Sequence, residues 1–108
     1  MTNRYTDAGG RVALLYSPGH GAGWYSWHHN EELIYDPYLV DLVLHVEDEV
    51  ERMERIDAYL TLKYPNEYIS GAENLEVCWV DPGTRFIIDE YDGAESIVMY
   101  DRMRWLTA

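Results

Sequence analysis

Three of the four histidines, two of the four tryptophans and three of the eight glycines fall within residues 17–29. The segment reads Ser17-Pro18-Gly19-His20-Gly21-Ala22-Gly23-Trp24-Tyr25-Ser26-Trp27-His28-His29. These residue types support three chemistries. His20 or His28 with Glu31 or Glu32 could move protons as an acid–base pair. Gly19-x-Gly21-x-Gly23 could turn its amides toward one phosphate, as a backbone nest does. Trp24, Tyr25, Trp27 and His28 supply rigid, amphipathic contact area of the kind that anchors protein interfaces.

The spacing separates the three. The dinucleotide-binding fingerprint needs Gly-x-Gly-x-x-Gly running into a helix, and here the third glycine comes one residue early. No lysine completes a phosphate-loop pattern, and no Gly-x-Ser-x-Gly elbow is present. His20, His28, His29 and His45 suggest a metal, but neither Cys-x-x-Cys nor His-Glu-x-x-His occurs, so no metal and no cofactor are expected. A contact loop centred on His20, Trp24, Tyr25, Trp27 and His28 is the leading reading. The alternatives are a sponge that sequesters a signalling nucleotide and a small enzyme built on the histidines. The tryptophans could instead fold back and close the core.

Charge is the second feature. Twenty acidic residues face eight basic ones, a net of −12, and Lys63 is the one lysine. Phosphate-backbone binding needs a basic patch, so direct nucleic-acid binding is not expected. Ten of the acidic residues lie between Glu31 and Asp57. Glu47, Asp48, Glu49, Glu51 and Glu54 are dense enough to form a negative stripe that could occupy a basic groove on a partner. The plainer reading is a solvated helix face.

The elements that must carry these residues follow from pattern. At 108 residues, 47% hydrophobic, the chain is expected to form a single domain with a real core, and residues 1–10 read as a polar lead-in. The unbroken apolar run over 11–16 predicts a central strand buried on both faces. Asp36-Pro37 predicts a helix start, with Asp36 as cap and Pro37 in the first turn. Leu39, Val43, Val46, Val50, Met53, Ile56 and Leu60 then form a helical stripe. A break is expected near 45–48, with Asp48 and Glu51 opening a second helix that stops at Tyr64-Pro65.

The period then switches to strands over 75–80, 85–91 and 95–100, with a hairpin turn at Asp92-Gly93 and an edge segment at 102–106. The expected class is α+β: a central N-terminal strand, one or two helices and a C-terminal antiparallel meander. No apolar run reaches membrane length and no signal peptide is read. The single cysteine, Cys78, excludes an internal disulfide and fits a cytosolic setting.

One resemblance adds to this. Val12-Ala13-Leu14-Leu15-Tyr16-Ser17-Pro18-Gly19-His20-Gly21-Ala22-Gly23-Trp24-Tyr25-Ser26-Trp27, followed by Asp36-Pro37-Tyr38-Leu39-Val40, resembles small uncharacterised accessory proteins of tailed bacteriophages. Phe86-Ile87-Ile88-Asp89-Glu90-Tyr91-Asp92-Gly93-Ala94-Glu95-Ser96 is similar to a segment common in such proteins. Together these stretches cover just under a third of the chain. The resemblance implies a phage or prophage accessory protein in the host cytoplasm that binds and disables a bacterial defence or host protein, in the manner of anti-CRISPR proteins. It transfers no catalytic residues. An exposed apolar loop would also fit a homodimer.

Overall fold

The computed structural model describes residues 4–19, 23–25, 30–67, 71–91 and 94–99. They form an α+β domain. Strand β1 (Val12–Tyr16) pairs antiparallel with β2 (Glu76–Val80), in the register Val12↔Val80, Leu14↔Cys78 and Tyr16↔Glu76. Strands β3 (Phe86–Tyr91) and β4 (Ala94–Met99) form a separate antiparallel hairpin. Between β1 and β2 come a short helix α1 (Glu32–Tyr35), helices α2 (Pro37–His45) and α3 (Glu49–Lys63), and a 3-10 turn over Ala72–Asn74.

The apolar run of β1 is explained by what lies on each side. Ala13 and Leu15 join the larger core with Trp24, Leu33, Leu39, Val40, Ile56 and Leu60. Val12 and Leu14 face the other way, against Ile34, Val80 and the hairpin's Phe86, Ile88, Ile97 and Met99. A strand covered on both faces has no position for a polar side chain.

Two expectations need correction. The C-terminal strands are not a meander, because β2 leaves its sequence neighbours and pairs with β1. Buried β1 must find partners for its backbone N–H and C=O groups, and β2 supplies them. The hairpin instead covers the second face of β1. The lead-in is also more than polar chain. Asp7 accepts from the N–H groups of Gly9 and Arg11 and from Arg11 Nε. That turn folds the chain back, so that Ala13 N–H donates to the Tyr5 carbonyl and Thr6 bridges to Val12. β1 is thereby flanked on both edges.

The helices start where their caps stand. Asp36 Oδ1 accepts from Tyr38 N and Leu39 N at 3.0 and 3.2 Å, with Pro37 in the first turn. Asp48 Oδ1 accepts from Glu51 N at 3.0 Å and opens α3. Arg52 closes the break by donating to the Val46 carbonyl at 2.9 Å. The hairpin register closes on Tyr91↔Ala94, which fits the expected two-residue connection; Asp92 and Gly93 lie outside the described residues. So does the expected edge segment over 102–106.

Asp36 does more than cap. Its second oxygen, Oδ2, accepts from Tyr59 Oη at 2.7 Å, from Tyr64 Oη at 3.0 Å and from Lys63 Nζ at 3.4 Å. The start of α2 is thus tied to the end of α3. Lys63 also donates to Tyr59 Oη at 3.0 Å, and the Tyr38 ring stacks on that of Tyr59 at 4.5 Å.

Each proton in this cluster is held more tightly than in a free chain. Burial, then the bond to Asp36, raises the Tyr64 hydroxyl. Burial also raises Tyr59, and the bond to Tyr59 raises the Lys63 ammonium. A raised pKa contributes stability that is complete below the unfolded value and is lost as pH rises through the folded one. For the tyrosines that loss begins at about pH 10. Urea unfolding from neutral to alkaline pH should therefore show stability falling above about pH 10. Asp36→Ala should lose about 3 kcal/mol at neutral pH and show a flatter alkaline fall. An alkaline profile unchanged by Asp36→Ala would remove the cluster from that role.

Candidate functional site

The base of the glycine–aromatic loop is described, and three distant segments meet there. β1 runs out at Tyr16 into Ser17, which is fully buried. Ser17 N–H donates to Glu95 Oε1 at 2.9 Å, and Glu95 N–H donates to the Ser17 carbonyl at 2.8 Å. Glu95, at the start of β4, is only 3% exposed. A carboxylate is rarely buried so completely without partners, and here it locks the loop's entry to the hairpin.

The third segment arrives through glycine. Gly71 has φ +78°, and a Cβ there would collide with the carbonyl of Gly23. A Cβ on Gly19 would strike the side chain of Asn74. These two glycines therefore serve close packing between the loop and the 71–74 turn. That account removes the need to invoke a phosphate for Gly19.

The structure separates the predicted site residues. Trp24 was expected among the contact anchors, but it has no exposed surface. It packs in the larger core, and its Nε1–H donates to the Leu33 carbonyl at 3.1 Å. The reading of Trp24 as an exposed anchor is corrected: its area closes the space between β1 and the helices. Tyr25 is half-buried and touches both core clusters. His20, Trp27 and His28 lie outside the described residues. Glu31 and Glu32 are exposed at the start of α1.

Ser17 Oγ is buried with no hydrogen-bond partner among the described residues. No base among the described residues is therefore in place there to activate it as a nucleophile. Among the described residues no group of three histidine, cysteine or acidic side chains could hold a metal, and no helix is long and apolar enough to cross a membrane.

The acidic candidates are brought together. Glu47, Asp48, Glu49, Glu51 and Glu54 are all exposed, at the start and on the first turns of α3. Local structure accounts for part of this charge. Asp48 caps the helix, Glu49 and Glu51 complement the positive end of its dipole, and Glu51 pairs with Arg55 at 2.9 Å. Neither Glu47 nor Glu54 is a cap or a member of an ion pair in the described structure.

Residue-type reasoning missed Ser17, Gly71 and Glu95. Glu95 stands between the small residues Ala94 and Ser96, and nothing in the local pattern marks it as buried.

No family model matches the chain, and neither a curated protein nor a solved structure matches it.

Glycine substitutions separate backbone strain from crowding. Gly83 has φ +82° with open space around it, whereas Gly71 has both the positive φ and the clash. Gly83→Ala should cost about 1 kcal/mol in urea unfolding, and Gly71→Ala about 3 kcal/mol. Equal losses would remove the packing argument. The buried pair at the loop base gives a second contrast. Trp24→Ala should cost about 4 kcal/mol, whereas Ser17→Ala should be neutral or stabilising by about 0.5 kcal/mol because no described residue bonds its hydroxyl. A large loss from Ser17→Ala would mean that the hydroxyl has one.

Proposed function

We propose that this chain is a small acidic binding protein of the phage accessory type, which inhibits a bacterial host or defence protein by occupying a basic surface on it. The observation that carries the reading is the exposure of Glu47, Asp48, Glu49, Glu51 and Glu54 together at one end of α3, in a chain of net charge −12. α3 is held at its far end by the Asp36 cluster, so the carboxylates stand at fixed spacing. A preordered charged face loses less freedom on binding. Its field speeds encounter with an oppositely charged partner.

Trp24, once in the core, has no part in the contact. Its burial supports a division of labour within residues 17–29, in which Trp24 anchors the loop. Tyr25, His20, Trp27 and His28 remain the sequence candidates for an apolar contribution to binding.

The test is capture of partners from bacterial lysate at low and high salt. Wild-type protein would be compared with the combined variant Glu47→Gln, Glu49→Gln, Glu51→Gln and Glu54→Gln. The expected result is a stoichiometric basic protein whose association slows about tenfold or more in the variant and in high salt. Capture indifferent to both changes would overturn the acidic face as the contact. A nucleotide released on denaturation, with no protein partner, would favour the sponge reading instead.

A further inference from the structure

Beside the acidic face, α3 and the 71–74 turn enclose an open groove of about 340 Å³. Its apolar lining includes Met53, Leu60 and Tyr64, and its carboxylates are Asp57, Glu67 and Glu73. Among the described residues no lysine or arginine lines it.

The cations of α3 are each engaged within the chain, and Lys63 Nζ also lies 5.5 Å from the centroid of the Tyr64 ring. Arg52 donates to the Val46 carbonyl, Arg55 pairs with Glu51, and Lys63 reaches Asp36 and Tyr59. The groove therefore joins an apolar floor to three carboxylates with no cation among the described residues that line it. Asn30 Nδ2 donates to Glu67 Oε1 at 3.2 Å, which fixes one wall. The volume lies at the small end of ligand pockets, which suits one long side chain better than a folded element.

We propose that this groove receives an arginine side chain from the basic partner. The arginine stem is apolar enough to lie along Met53 and Leu60, as long cationic side chains commonly do. Its planar guanidinium carries five donors and can engage two carboxylates at once, which a lysine ammonium does less well. This inference rests on the reading of the chain as an acidic binding protein, and names the side chain that its partner inserts.

The experiment is an NMR titration of the folded protein with two acetylated, amidated peptides, Gly-Arg-Gly-Arg-Gly and its lysine counterpart. Asp57→Asn with Glu73→Gln tests the groove; both side chains are exposed, so the fold should persist. Glu76→Gln with Asp89→Asn removes the same charge from exposed positions on β2 and β3. The expected result is saturable shifts at the amides of Met53, Leu60, Ala72 and Glu73. The groove variant should bind the arginine peptide about tenfold more weakly, and the strand variant no more than about twofold. The lysine peptide should bind several-fold more weakly to the wild type. Equal weakening by the two variants would replace the groove with a diffuse field, leaving the acidic-binder reading in place. Absence of saturable binding to the wild type would overturn the groove outright. Groove binding with no salt-sensitive partner in lysate would instead count against the functional reading alone.

Discussion

One buried carboxylate sets the helical half of this protein. Asp36 receives two backbone N–H groups on one oxygen and two phenols and an ammonium on the other. Taking a carboxylate out of water is expensive, and five donors with one counter-charge offset that expense. The donors come from both ends of the helical pair. α2 cannot start unless Asp36 is in place, and Tyr59, Lys63 and Tyr64 cannot reach it unless α3 has wound through four turns. Helix α3 is thus registered against α2 by polar bonds, while Ile56 and Leu60 supply the apolar contact. The polar cluster fixes which face of α3 turns inward. By subtraction it fixes which residues remain outside: Glu51, Glu54 and Asp57.

The sheet half is organised by β1, and the two halves meet at its end. Val12 and Leu14 look to the hairpin, Ala13 and Leu15 to the helices. At Ser17 the side-chain alternation gives way to a reciprocal pair of bonds with Glu95. Across the hairpin, Glu95 stands opposite Glu90, an unfavourable pairing of like charges. The two carboxylates have different surroundings: Glu90 is exposed, while Glu95 is buried against the Ser17 backbone. The loop's entry is therefore fixed to the hairpin, and Gly71 fixes its later part, at Gly23, to the helical side.

Legibility in the sequence followed the range of the forces involved. Both helix starts were readable, since a cap is a contact between residues two or three apart: Asp36 to Leu39, Asp48 to Glu51. The break between α2 and α3 was readable for the same reason. The pairing of β2 with β1 was not, because it joins residues about sixty apart and competes with an equally plausible neighbour in sequence. Asp36 announced itself as a cap, but its second oxygen gave no sign of Tyr59 and Tyr64, which lie two dozen residues on. Trp24 misled for a physical reason. A tryptophan next to a glycine-rich stretch supplies the same large amphipathic surface whether it faces a partner or its own core. The choice was made by Leu33, whose carbonyl offers the indole its bond.

Charge and fold pull against each other in the proposed reading. Asp57, Glu67 and Glu73 line one groove with no cation among the described residues around it, so they repel one another. The helix that carries Asp57 tolerates this because its C-terminal end is held by Lys63 and the two tyrosines at Asp36. The same division places every cation of α3 in a structural bond and leaves the groove's carboxylates unmatched. A cationic side chain entering the groove would relieve repulsion already built into the free state, so part of its binding energy would come from the protein rather than from new contacts. The Asp36 cluster that stabilises the fold would then also keep that groove open and negative.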